Sequence, residues 1–494
     1  MELKSFPSKA KFVELAKDYN VIPVCKTILA DSDTPVSLLR KSFRSGVPLF
    51  LLESVEGGEK FGRFSFLGIS ARYVIKVFND KIRVSSLNHI DEFEHNNDPF
   101  NALREFSSQF KAAPIKEIQG FYSGLVGYMT YEMISFIEKI SNKLPSNEPL
   151  ALFMVPDSML VFDNVSHTVT LVSAAFLEKG ADPEIAYDAA LSRLEGIMAV
   201  IESELETVER EERSQIPGLL PLCTKDEYLE KVEKIKKHIH EGDIIQAVIS
   251  QPFTAPLFFD PVSLYRAQRY INPSPYLYYF QCDDIVIAGS SPETMVKVQK
   301  GQATLRPIAG TRPRGENEQE DRTLADELLK DEKEKAEHLM LVDLGRNDLG
   351  RIADTGSVQV TDLMFVERYS HVMHLVSNIV CNIKKDKDVW DVIKACFPAG
   401  TLSGAPKVRA MELISEYEDY PRGPYGGAVG YIDFNGNMDF AITIRTAVIK
   451  DNQVIVRAGA GIVSDSIPET EYEETINKAK SIERAVNLIG RSLI

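Results

Sequence analysis

The sequence predicts an α+β chain in which large antiparallel sheets pack as a sandwich with helices outside. Three observations carry that expectation. Near the C-terminus, Ala428–Phe434, Met438–Ile449 and Val454–Ala458 read as an antiparallel meander, turning at Asn435-Gly436-Asn437 and at Asp451-Asn452. Helical periodicity with capping residues separates strand-like runs in both halves. The halves also echo each other. Gly124-Leu-Val-Gly-Tyr128 resembles Gly427-Ala-Val-Gly-Tyr431, and Pro48-Leu-Phe-Leu-Leu with Tyr73-Val-Ile-Lys-Val resembles Pro275-Tyr-Leu-Tyr-Tyr with Met295-Val-Lys-Val. Two echoes in the same order point to a duplicated sheet-and-helix unit.

In chain order, Pro48–Glu53, Tyr73–Phe78, Met159–Phe162 and Thr168–Val172 are the strand-like runs of the first half. A helix is expected from Asp182 to Arg213, with Asp182 as N-cap and Pro183 in the first turn. It breaks at Ile216-Pro217-Gly218, which sets the main boundary: an N-terminal region over 1–215 and a second over 224–494. The second region opens with a helix from Lys225 to Glu241 and closes with one from about Ile467 to Leu488. Ser466, followed three residues on by Glu469, has the form of a capping box for that last helix.

Of the 494 residues, 44% are hydrophobic and 26% charged, the balance of a soluble globular chain. Fifty-six basic against 72 acidic residues give a formal net charge of −16. A surface so acidic repels phosphate backbones and anionic lipid, so neither nucleic acid nor membrane is expected as a partner. The five cysteines are scattered and none forms a C-x-x-C pair, which suggests neither a disulfide framework nor a zinc site. With no apolar leader in the first 20 residues and no run of ~20 apolar residues, a cytoplasmic chain is expected.

Several polar constellations stand out. Within Asp331–Gly350, Glu334, Glu337 and Leu341 share one helical face. After Ser466, Glu471, Glu474 and Lys478 form a second charged face. Solvated helix surface accounts for either run alone, although like charges at i,i+3 cost ~0.2–0.5 kcal/mol per pair unless neutralised. One Glu from each helix, meeting across a cleft, would suit Mg²⁺, which takes one or two carboxylates plus waters and substrate oxygens. Pro307–Gly315 sets Gly310 and Thr311 among arginines, and Pro398–Lys407 precedes a helix whose N-terminus can hold an anion. Gly423–Gly430 and Ala458–Ile462 supply glycines against which a ligand can lie.

In this order the motifs resemble the chorismate-utilising enzymes from about Lys225 onward, and among them the ammonia-using anthranilate synthase large subunits. The resemblance implies a lyase that aminates chorismate with ammonia and eliminates pyruvate to give anthranilate. It implies Glu337 and Glu474 as Mg²⁺ ligands with Glu334 and Glu471 beside them, and Glu293 as the general acid at the C4 hydroxyl. It implies His374 in pyruvate elimination, and Gly310, Thr311, Thr401, Tyr425, Arg445, Gly459, Ala460, Gly461 and Lys478 around the substrate. Gln246 stands where water-using relatives carry a Lys base, and Ala309 where many aminodeoxychorismate synthases carry a Lys. Ile245 departs from the aromatic residue common before that Gln. The family pattern also implies a separate glutaminase subunit, and a tryptophan effector site on Glu53, Ser54, Pro275, Tyr276 and Leu277. The alternatives are an aminodeoxychorismate synthase component I and an inactive tryptophan-binding paralogue.

Overall fold

The computed structural model describes residues 5–30, 32–54, 62–87, 89–118, 120–205, 216–369 and 372–491. Its strands form one hydrogen-bonded network of 23, and every strand pair in it is antiparallel. The network folds over on itself through one long pair, Phe64–Val77 with Ala151–Asp163. One end of Phe64–Val77 pairs with Gly46–Glu53 and the other with Lys81–Ser85. Ala151–Asp163 divides likewise between Gly124–Met129 and Thr168–Phe176. Register shifts between Gly68 and Tyr73 mark the bend, as bulges do where a strand passes from one sheet to another.

The result is a sandwich, as the sequence predicts. Phe50, Tyr278, Phe280 and Ile287 from one layer meet Val126, Tyr128, Leu152 and Val429 from the other in a shared core. The Tyr128 and Phe280 rings pack edge to face at 5.6 Å. Alternate residues point outward, the consequence of the two-residue strand period. Leu51, Leu277 and Tyr279 pack under the helices Pro183–Glu202, Pro261–Ile271 and Pro468–Gly490. Leu125, Phe153 and Phe440 pack with Trp390 and Met411 of other helices.

The sequence echoes pair with each other. Gly127 lies opposite Gly430, the same position in both motifs, so a local two-fold axis passes between them. A Cβ on Gly127 would sit 1.9 Å from the Leu152 carbonyl, and one on Gly430 would sit 2.0 Å from that of Asp439. The second echo behaves alike: Leu51 and Leu52 face Tyr279 and Tyr278. Strands from before and after the expected boundary therefore share both layers.

Three expectations need correction. The helix that starts at Asp182 ends at Glu202, with Ser203 in extended backbone; 206–215 lie outside the described residues. The last helix is capped at Ile467, not Ser466, whose hydroxyl instead accepts from the Val463 N–H. The long meander strand Met438–Ile449 is two strands, Met438–Ile442 and Thr446–Lys450. Among the described residues no helix is long and apolar enough to cross a membrane.

Candidate active site

Two helices, Glu332–Gly350 and Pro468–Gly490, and the paired strands Gln246–Pro256 and Gln453–Ile462 frame a cavity of about 830 Å³. Gln246, Glu293, Thr311, Glu337, His374, Thr401, Tyr425, Arg445, Gly459, Gly461, Glu471, Glu474 and Lys478 line it. A second cavity of about 810 Å³ shares Thr311, His374, Arg445, Glu474 and Lys478, so the two form one continuous cleft. Residues distant in sequence are thus gathered as the motifs imply.

Glu293 and Arg445 sit where the chain crosses between the layers of the sandwich. Pro292-Glu293 joins Ile285–Ser291 to Thr294–Gln299, and Thr443–Arg445 joins Met438–Ile442 to Thr446–Lys450. The crossings run side by side: the Ile442 N–H donates to the Glu293 carbonyl, and Ser290 N–H to that of Arg445. Arg445 has φ of 50°, left-handed for a residue with a side chain, a strain of ~1–3 kcal/mol that collects at functional sites. Glu293 is buried, and desolvation pushes its carboxyl up to about 8 against the pull of Thr401, Arg445 and Lys478. A carboxylic acid protonated near neutrality can serve as a general acid.

The two acidic helices face each other across the cavity. Burial raises Glu337, and Glu334 and Glu474 raise it further, while the Gln246 amide and Lys333 oppose them. Burial likewise raises Glu471, with Glu474 adding to it and the Ser466 hydroxyl opposing. Glu474 pairs with Lys478 at 2.7 Å, and Lys478 Nζ also donates to the Gly459 carbonyl at 2.8 Å. Carboxylates that raise one another's pKa form an oxygen-only donor set with excess negative charge, which fits a hard divalent cation. Glu334 stands behind this set, paired with Arg312 at 3.4 Å and packed beside Gly310.

Gly310 positions His374 rather than lining the cavity. It forms a bulge between Ile308–Pro313 and Val372–Asn382, with φ of 66°, and a Cβ there would lie 2.9 Å from Leu328 Cδ1 and 3.1 Å from a Glu334 carboxylate oxygen. Its carbonyl oxygen lies 3.0 Å from His374 Nδ1, and the Thr311 hydroxyl 3.1 Å. A carbonyl only accepts, so Nδ1 carries the proton and Nε2 is the basic nitrogen of the neutral ring. Ser370 and His371 of the same motif lie outside the described residues.

On the strand Gln453–Ile462 the glycines present backbone to the cleft: a Cβ on Gly461 would come within 2.5 Å of Gln246 Nε2. Ala460 between them points the other way, fully buried in the core, so its side chain is not part of the site. Gln246 Oε1 is buried at the cavity wall with no hydrogen-bond partner among the described residues. Thr401 lines the cavity, but the helix N-terminus after it does not. Lys407 there is turned to Asp348 at 2.5 Å. Sequence reasoning missed Arg457, which lines the cavity and pairs with buried Glu418 at 2.7 Å. A lone charge in the run Val454–Ala458 was the available signal.

The five effector residues do not share one face. Glu53 and Leu277 are cross-strand partners. Leu277 packs on the helix side of the sheet, but Tyr276 is turned into the sandwich, where its hydroxyl meets Thr294 and Asp439. The Glu53 carboxylate is held by Arg269 at 3.1 Å and by the Tyr265 hydroxyl. Ser54 ends the described part of that strand's edge; 55–61 lie outside it.

Known proteins share this architecture. The chain matches the chorismate binding enzyme family over residues 50–484. It is 42% identical to anthranilate synthase component 1 of Aquifex aeolicus, covering 97% of each chain. It is 44% identical to the component 1 of Pseudomonas aeruginosa, covering 98% of this chain and all of that one. Among solved structures, anthranilate synthase component I from Streptococcus pneumoniae superposes with a TM-score of 0.75 at 37% identity, over 87% of this chain and 95% of the other. The menaquinone-specific isochorismate synthase of Escherichia coli shares the fold, with a TM-score of 0.69 at 19% identity over 97% and 98%. Acid, histidine and facing carboxylates in one cleft, on a chain alike from end to end, lead to one assignment: the protein belongs to the chorismate binding enzymes, in the group of anthranilate synthase component 1.

Proposed function

We propose that the protein aminates chorismate with ammonia and eliminates pyruvate to release anthranilate, with Mg²⁺ held by Glu337 and Glu474 and with tryptophan as inhibitor. The observation that carries the reading is Glu293, a buried carboxyl raised to about 8, in one cleft with His374 and Gln246. Arg445, Lys478 and the backbone at Gly459 and Gly461 bind the two carboxylates of chorismate. Bound Mg²⁺ supplies charge for a substrate carboxylate and a template for its orientation.

Ammonia forms its bond at C2 as the C4–O bond breaks, and the Glu293 proton lets the C4 oxygen leave as water. Proton donation of this kind is worth ~10²–10⁴ in rate. Gln246 Oε1, an acceptor without a partner, suits an incoming N–H; an amide cannot deprotonate water, and ammonia needs no such help. His374 Nε2 then takes the C2 proton, the C3–O bond breaks as the ring becomes aromatic, and the enolpyruvate that leaves takes up a proton at its methylene carbon to become pyruvate.

The ammonia comes from outside this chain. All five cysteines are buried, and burial raises each thiol, so none is a glutaminase nucleophile. A separate glutaminase subunit, or ammonium itself, supplies it. The test is a fluorescence assay for anthranilate with the purified chain, chorismate and Mg²⁺. Turnover is expected with ammonium and not with glutamine. Efficient glutamine use by the single chain, or a non-aromatic end product, overturns the reading.

A further inference from the structure

Glu132 comes from the N-terminal region, in the short turn Tyr131–Phe136 that follows the strand Gly124–Met129. It is buried, and its Oε1 accepts two successive backbone N–H groups of the other half, Arg422 at 2.6 Å and Gly423 at 3.2 Å. The Tyr131 N–H returns a bond to the Gly423 carbonyl at 2.8 Å. Gly423 has φ of 58°, so the loop turns sharply where the carboxylate grips it. Two residues further on, Tyr425 is on the cleft wall.

The grip reaches further through the Arg422 side chain, which is buried at the back of the cleft. Nη1 donates to the Leu402 carbonyl at 2.6 Å, next to Thr401, and Nη2 to the Val248 carbonyl at 2.7 Å, two residues from Gln246. Glu418 binds the same guanidinium at 2.7 Å and also takes Arg457. Burial works against the Glu418 carboxylate, but the two arginines outweigh it and hold it at about 2. The guanidinium lies 4.5 Å from the Tyr131 ring. Two separate wall segments, carrying Gln246 and Thr401, therefore hang on this one side chain, Tyr425 follows in the same loop with its N–H on the Arg422 carbonyl, and Glu132 fixes the backbone of Arg422.

We propose that Glu132 is a positioning residue for the substrate cleft, setting Tyr425 and Thr401 in place through Arg422. The substrate through which this is read is the chorismate of the proposed function. Both bonds need only an acceptor oxygen at the place of Glu132 Oε1. A glutamine, whose carbonyl accepts the same two N–H groups, should replace it.

The experiment compares Glu132→Ala and Glu132→Gln in the full chain, by steady-state kinetics with ammonium and by amide hydrogen exchange. Loss of the two bonds should raise KM for chorismate ~10-fold or more with kcat within ~3-fold, and Gln should recover most of that loss. Exchange at 422–427 and 400–403 should quicken in the Ala variant while the distant sheet edges stay unchanged. If Glu132→Ala does not fold, Glu132→Asp, which withdraws the oxygen by one methylene, takes its place. An unchanged KM, or a loss that Gln fails to recover, overturns the inference. A parent that turns over no chorismate sinks the functional reading instead; unaltered exchange at 422–427 then decides against the positioning role, and quickened exchange for it.

Discussion

His374 and Gly310 form one device: the glycine carbonyl accepts a hydrogen bond from Nδ1–H at 3.0 Å, which leaves Nε2 as the unprotonated nitrogen of the neutral ring. His374→Met removes the base but neither the acid nor the cation site. Chorismate should still be consumed while a non-aromatic amino compound accumulates and anthranilate formation falls ~100-fold or more. Chromatography of the products checks this. Gly310→Ala, strained at its positive φ, should show the same partial reaction in milder form.

Glu293 should impose a falling limb on the pH profile of amination, with an apparent pKa near 8. The sign for stability follows from the raised value. The stability linked to its proton is fully present below the ordinary carboxyl value of 4.5 and is lost as pH rises through about 8. Glu293→Gln should lose turnover by ~10²–10⁴ and lack this loss of stability. Thermal unfolding of both proteins at pH 6 and pH 9 measures it; an identical fall in Tm in the two would count against the assignment.

Glu474→Gln keeps shape and removes one carboxylate from the facing set. Calorimetric titration should show Mg²⁺ binding weakened ~10-fold or more, with the fold retained by circular dichroism. Parental Mg²⁺ affinity in that variant would return these glutamates to ordinary helix surface.

Ser54 lies beside buried Glu53, whose carboxylate is already satisfied by Arg269 and Tyr265. Ser54→Ala should weaken tryptophan inhibition and leave uninhibited turnover near parental. Dose–response curves for both proteins decide; unchanged inhibition removes Ser54 from the effector site.

Gly127→Ala tests the pseudo-symmetric pairing. Its Cβ would lie 1.9 Å from the Leu152 carbonyl, backbone that cannot move aside, so about 3 kcal/mol of stability should be lost. Denaturant unfolding measures this, and Gly430→Ala should match it.

The sequence was most legible where chemistry and geometry share a local pattern. Helical spacing placed Glu334, Glu337, Glu471 and Glu474, and turn residues placed the meander. Reading Met438–Ile449 as one strand failed because its apolar pattern runs unbroken through Thr443–Arg445. The break there is imposed by the crossing between layers, a tertiary demand. Ala460 was misread because a glycine-flanked alanine looks like part of a cradle until strand alternation turns it inward. The same alternation turns Tyr276 and Leu277 to opposite faces of their strand, which the apolar run does not show. Glu132 and Arg422 were invisible: nothing local tells a buried carboxylate 290 residues away which loop it will hold.

The side-by-side crossings that carry Glu293 and Arg445 constrain how such an enzyme can change. Each is bonded to the other's flank, so neither can lengthen or shift alone without unzipping strands in both layers. The interval between the Glu293 carboxyl and the Arg445 guanidinium is therefore a fixed gauge, built into the sandwich before any ligand arrives. New substrates must be accommodated by exchanging side chains around that gauge, at positions such as 246 and 309, whereas insertions can accumulate freely only far from it. A scan of single-residue insertions should find these two short segments among the least forgiving in the protein.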